Sequence, residues 1–276
     1  QLVVADGGQV FMSAGARDSL IASAVNNTGV VQAQTVEQKD GKIVLLGGME
    51  AGTTTVAGTL DASAPTGGNG GFVETSAGKV KVADGARITT RAEDGKTGTW
   101  LIDPTDFTVS AGGAAQTDSG IGASTLGSNL EDNNVAIETV ATGDDDGDIN
   151  VNADVSWASA SELSLKAHND VKVNANINAA NGSLVTESRG FTAAAGKALN
   201  TAKWTIKSSG AGKSDVNLGA NRADYIQYNA GADYSNVDSR ASGSGVVYSQ
   251  VAPTLEISNF QTGSTVSKGY DGTTDA

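Results

Sequence analysis

The stretch from Asn69 to Pro104, NGGFVETSAGKVKVADGARITTRAEDGKTGTWLIDP, constrains the fold more than any other part of the chain. It contains very short alternating segments at Val73/Thr75, Val80/Val82, Ile88/Thr90 and Trp100–Ile102, each cut off by Gly, Asp-Gly or Ala-Gly. Alternation gives a strand one buried face, and strands this short bury almost nothing alone. Stacking copies of the same short coil closes a core. The sequence therefore predicts an all-β chain folded as a β-solenoid, a parallel β-helix. The coiling is expected to be right-handed, by the chirality rule for parallel crossovers.

A turn pair recurs before a strand at Gly7-Gly8, Asp40-Gly41, Gly70-Gly71 and Thr97-Gly98. From Gly8 to Gly41, Gly71 and Gly98 the steps are 33, 30 and 27 residues, the size of one coil or slightly more. Further strands are expected near Val3, Val10–Met12, Leu20–Ala22 and Val30–Ala33. They resume at Val135–Thr139, Ile149–Val151, Val155–Trp157, Leu163–Ala167, Val171–Val173, Ile177 and Leu184–Thr186. Clearer strands later in the chain are Trp204–Ile206, Val216–Leu218 and Tyr225–Tyr228. At roughly 23 residues per turn the chain would make about eleven or twelve turns, a rod near ~55 Å long.

Residues 119–134 break this texture. Ile121, Leu126 and Leu130 recur at near-helical spacing, with Ser119 or Ser124 as N-cap and Gly122 and Gly127 weakening the helix. A short helical insertion is expected there. Asn150, Asn152, Asn174, Asn176 and Asn178 punctuate the alternation that follows and are expected to stack at corners. Three segments result: regular coils over 1–110, a less regular continuation with the helical insertion over 111–251, and a linker with the start of a different repeat over 252–276.

Composition agrees with a thin core. Only 38% of residues are hydrophobic and 5% aromatic, against 36 glycines and 3 prolines. A net charge of -13 argues against nucleic acid as a partner and against direct membrane insertion. Without cysteine there are no disulfides, thiol nucleophiles or thiolate metal sites. The chain has no basic segment followed by an apolar run of signal-peptide type, and both ends read as cuts through a longer protein.

Chemistry-bearing residues are few. Trp100, Trp157 and Trp204 lie in alternating runs, which favours core positions, although Trp157 is also a candidate for stacking on a sugar ring. Tyr225, Tyr228 and Tyr234 form a candidate exposed contact patch. Asp144, Asp146 and Asp148, with Asp145, crowd one turn. They are candidate Ca²⁺ ligands, set against the plainer reading of a solvated acidic turn. His168, the sole histidine, lies in a strand-turn-strand phrase with no activated serine beside it. Asp103 and Asp106 flank Pro104 and are read as turn-setting, while a glycoside hydrolase using only carboxylates stays open as the alternative function. No catalytic residue and no obligatory cofactor are assigned.

Specific phrases carry a family resemblance. GGNGGFVETSAGKVKV, GTWLIDPTDFTVSAG and the later STLGSNLEDNNVAIET and LSLKAHNDVKVNANI resemble filamentous-haemagglutinin-like, high-molecular-weight-type adhesins exported by two-partner secretion in Gram-negative bacteria. VSKGYDGTTDA, through Lys268, Tyr270, Asp271, Gly272, Thr273 and Thr274, resembles the opening of a YDG repeat. The resemblance covers most of the chain and is weakest over 191–247. It implies a non-enzymatic shaft at or released from the outer cell surface. It also implies host glycan, host protein or biofilm exopolysaccharide as partner, and an outer-membrane β-barrel transporter during export.

Overall fold

The computed structural model describes residues 1–15, 24–37, 39–112, 118–142, 145–210, 215–238 and 242–252. The expected strand at Leu20–Ala22 and the YDG-like segment from Pro253 onward lie outside these residues.

The chain opens with β1 (Leu2–Val4), β2 (Gln9–Ser13) and β3 (Ala24–Asn27). The triplet recurs as β4 (Val30–Gln32), β5 (Lys42–Leu46) and β6 (Thr53–Val56), then as β7 (Thr59–Asp61), β8 (Phe72–Ser76) and β9 (Lys79–Val82). A fourth copy is β10 (Arg87–Thr89), β11 (Thr99–Asp103) and β12 (Phe107–Ser110). The members of a triplet belong to three different sheets, and each strand pairs in parallel with its counterpart in the next triplet, except that β9 and β12 are separated by one later strand. The molecule is nearly all β, in long parallel sheets.

After β13 (Gly120–Gly122) comes the helix α1 (Ala123–Leu130), then β14 (Asn134–Glu138), β15 (Ile149–Val151), β16 (Val155–Ser156), β17 (Glu162–Lys166) and β18 (Asp170–Val173). The remaining strands are β19 (Ile177–Ser188), β20 (Gly190–Ala193), β21 (Leu199–Ser208), β22 (Val216–Asn217), β23 (Tyr225–Gln227) and β24 (Gly245–Tyr248). The central sheet runs β2-β5-β8-β11-β14-β17-β19-β21-β24-β23.

Register turns the alternating sequence into columns. Val10, Ile43, Val73, Trp100, Val135, Leu163, Leu184 and Trp204 stack along one inward row of the central sheet. Each inward row contributes one side chain per strand, so small and β-branched residues fill a narrow interior. Nearly all of the buried apolar side chains, from Val10 to Tyr248, form one continuous cluster.

The recurring glycines form a column too. Gly8, Gly41, Gly71 and Gly98 accept the backbone N–H of Lys42, Phe72, Thr99 and Asn134, the first strand residue of each following coil. A Cβ on Gly71 would overlap the Gly41 carbonyl oxygen, and one on Gly98 would overlap that of Gly71. Close backbone approach requires glycine there. The 33-, 30- and 27-residue steps are therefore true coil lengths, as the pairs Gln9–Lys42, Lys42–Phe72 and Phe72–Thr99 show.

Coil length then varies more than expected. Thr99 pairs with Asn134, 35 residues on, while Leu184 pairs with Trp204, only 20 on. Among the described residues ten strands follow one another along the central sheet, and nine steps of ~4.8 Å span about 43 Å. An average repeat could not anticipate the 35-residue step from Thr99 to Asn134 or the 40-residue step from Thr205 to Gly245.

The helix falls within the expected window, but its start differs. Gly122 is the N-cap and supplies no side-chain hydrogen bond, whereas the Ser119 hydroxyl accepts the Val80 N–H at 3.0 Å. The first sheet stops at β10, and α1 occupies the next position, packed between β10 and β16. Asn129 Oδ1 accepts the Ile88 N–H at 2.7 Å, and Asn129 Nδ2 donates to the Ala86 carbonyl at 3.0 Å. Asn133 Nδ2 donates to the Ile88 carbonyl at 2.8 Å. Two side-chain amides thus complete the edge that a strand would have covered. Gly127 lies against the Ser156 carbonyl, too close for a Cβ, so the helix-weakening glycine permits the packing. Beyond α1 the face resumes as Val155, Ile177 and Leu199 in register.

Two strands enter out of order. β13 sits between β9 and β12, and β24 sits between β21 and β23. In both places the chain advances one position and a later segment returns to fill the gap. Of the five asparagines expected to stack, Asn174 donates to Asn152 at 2.8 Å, Asn178 accepts from Asn200, a residue not anticipated, at 2.9 Å, and Asn150 stands beside Lys172 in register. Asn176 instead joins Asp154, at 3.0 Å.

Candidate functional site

Outward side chains of the central sheet also form columns. One position past the Ile102–Ile137 pair, Asp103 stands beside Glu138, and the row continues through Lys166, Glu187 and Lys207. Lys166 Nζ lies 3.4 Å from Glu138 and Lys207 Nζ lies 3.7 Å from Glu187. Two residues beyond Lys166 and Glu187, the chain places His168 and Arg189 on neighbouring coils, both exposed.

Residues 229–238 wall off the far end. Asn229 donates to the Gln250 carbonyl at 2.7 Å and Ala230 to that of Tyr248 at 3.0 Å, laying the segment over β24. Tyr234 packs with Ala230 on Val247, the outward apolar residue of β24. Its φ of 54° is the left-handed region, costly for a tyrosine and held here by surrounding contacts. Lys207 Nζ lies 5.4 Å from the Tyr234 ring centre. Tyr234 and the outward residues Asp103, Glu138, Lys166 and Glu187 border a groove of about 420 Å³ that reaches past His168 and Arg189.

The two ends of the groove differ electrostatically. Burial, followed by the charges of Glu138 and Glu74, pushes the Asp103 carboxyl up to about 6. Its Oδ1 is buried without a hydrogen-bond partner among the described residues. Burial and then the Glu187 charge push the Tyr234 phenol up to about 12, so it stays protonated at neutral pH. Lys166 and Lys207 each face an acid, whereas neither Arg189 nor His168 has an ion-pair partner among the described residues.

The residues singled out from sequence distribute unevenly. Trp100, Trp157 and Trp204 are all buried. The Trp157 indole N–H donates to the Ser161 carbonyl at 3.1 Å and its ring abuts Gly182, which leaves no open face for a sugar. Tyr234 reaches the groove. Tyr225 packs behind it as a half-buried residue, and Tyr228 stacks on Tyr248 with ring centres 4.8 Å apart. Packing therefore consumes much of the expected tyrosine patch.

Of the acidic turn, Asp144 lies outside the described residues and Asp146 is exposed. Asp148 accepts hydrogen bonds from Asn169, the Asp170 N–H and Lys172. Asp106 organises the loop, accepting the Gly147 and Asp148 N–H groups at 2.9 and 2.7 Å. No group of three or more His, Cys, Asp or Glu placed to hold a metal ion occurs among the described residues.

The Asp103-to-Lys207 row carries a sequence signal that alternation alone does not single out. Each member directly follows an inward pair: Trp100/Ile102, Val135/Ile137, Leu163/Leu165, Leu184/Thr186 and Trp204/Ile206. Comparison with protein-family models, with curated proteins and with solved structures finds no match.

Proposed function

We propose that this chain is a right-handed parallel β-helix forming a structural and adhesive segment of a large secreted surface adhesin of a Gram-negative bacterium. The observation that carries this reading is the continuous parallel stack, which repeats one outward row of polar side chains once per coil. Such a stack is stiff along its axis, and weak contacts repeated along it add through effective concentration. The IDP and YDG phrases supply the adhesin part of the proposal, with host-surface glycan or protein, or biofilm exopolysaccharide, as partner. Export of the parent protein would use an outer-membrane β-barrel transporter.

The test is attachment. Particles coated with the purified chain are expected to adhere to cultured host cells or to matrix polysaccharide more strongly than albumin-coated particles. Equal attachment by both on every surface would remove the adhesive part of the reading.

One observation favours a second reading, a polysaccharide hydrolase or lyase on the same scaffold. Asp103, with its raised pKa, stands next to Glu138 in an open groove, a pairing suited to proton donation beside a carboxylate. New reducing or unsaturated ends released from a polysaccharide, and lost in both Asp103→Asn and Glu138→Gln, would favour the enzyme. A calcium-stiffened spacer is tested by melting temperature, which an excess of Ca²⁺ would raise.

A further inference from the structure

The groove on the outer face of the central sheet has an asymmetry that points to a ligand. Lys166, in its lining, faces Glu138, and Lys207, outside the lining, faces the lining residue Glu187. At its rim, Arg189 and His168 stand on neighbouring coils, exposed and without an ion-pair partner among the described residues. A guanidinium held this way presents a planar fork of donors that matches a carboxylate.

We infer that this groove binds a uronate-containing saccharide, with Arg189 and His168 holding the sugar carboxylate and Glu138 and Glu187 accepting its hydroxyls. The inference deepens the adhesive reading and rests on it. Three features select the ligand class. The groove crosses successive strands along the stack, so a linear chain fits along it. Its lining is rich in carboxylate and hydroxyl groups rather than in large apolar surface, as hydroxyl recognition requires. The acids of the lining repel a nucleic-acid backbone, and their match to sugar hydroxyls favours a saccharide over an acidic peptide, which offers none. Tyr234, fixed in its costly backbone conformation, closes the groove and sets the ligand's register.

The experiment uses the full chain and an oligogalacturonate probe, titrated by calorimetry. The matching oligosaccharide with carboxyls reduced to alcohols and a polyglutamate of similar charge are run beside it. Binding is expected for oligogalacturonate only. Arg189→Gln is expected to weaken it by about tenfold or more. Lys203→Gln, which removes the same charge elsewhere on the sheet, is expected to have little effect. Matching melting curves for the two variants verify folding.

Equal binding of the reduced sugar or of polyglutamate overturns the inference, as does an equal loss in the two variants. Absence of oligogalacturonate binding also overturns it. If coated particles still attach to cells or matrix in that case, only this inference fails and the adhesive reading stands. If attachment is absent as well, both fail.

Discussion

Asn129 accepts the backbone N–H of Ile88 at 2.7 Å and donates to the carbonyl of Ala86 at 3.0 Å. A helical side chain thereby takes the hydrogen bonds of a missing strand. Because Asn129 is buried, truncating it strands a donor and an acceptor away from water. Asn129→Ala is expected to destabilise the chain by about 2–3 kcal/mol, read from urea unfolding. Ser128→Ala, one residue away on the exposed side, should change stability by less than about 0.5 kcal/mol. Equal effects would remove the edge-completing role.

The glycine column makes a separate prediction about space. In Gly71→Ala the new Cβ meets the Gly41 carbonyl, so two coils must part to admit it. Gly85→Ala introduces a methyl into open space but at φ 72°, which costs about 1–2 kcal/mol of backbone strain. The Gly71 variant is expected to lose more, at least about 2–3 kcal/mol, or to fail to fold. A milder loss than Gly85→Ala would mean that the coils do not approach so closely.

Asp103 should give stability an unusual pH dependence. Its folded-state pKa of about 6 lies above the ordinary 3.8, so the folded chain holds an extra proton between those values. That advantage is complete below about pH 3.8 and is lost as pH rises through about 6. Asp103→Asn is therefore expected to be more stable than the native chain at pH 8, by on the order of 1 kcal/mol after allowance for solvent screening. The difference should vanish at pH 4. A variant less stable at pH 8 would contradict the sign.

Asp148 behaves in the opposite sense. Burial raises its pKa, but hydrogen bonds from Lys172, Asn169 and the Asp170 N–H outweigh that and hold the carboxyl below its ordinary value. A lowered pKa stabilises the fold above the ordinary carboxylate range, and that contribution is lost as pH falls through the folded-state value. Asp148→Asn should cost about 1–2 kcal/mol at pH 7 and less at pH 3. Parallel melting curves at the two pH values check this, and a pH-independent loss would exclude the charge as its source.

Much of the architecture was legible from local pattern. Val73, Val80, Ile88 and Trp100 alternate with polar residues, and all four are buried. The glycine spacing gave the first three coil lengths because close backbone contact leaves no room for another residue type. The charged groove was less accessible. Asp103 and Lys207 are more than a hundred residues apart and share a row only because five strands hold a common register. Tyr234 shows the opposite case: it looked like part of an exposed patch, but the return of residues 229–238 over β24 buried most of it.

The sequence by itself determined that short strands must stack, because a period of two interrupted every few residues can bury a face in no other way. It also determined which residues point inward and where a helix interrupts the series. Tertiary structure alone decided that the helix substitutes for a strand, that β13 and β24 enter out of order, and that Arg189 and His168 meet at one rim. Those outcomes depend on which coil lies against which, and contacts between coils are set by register across tens of residues rather than by local preference.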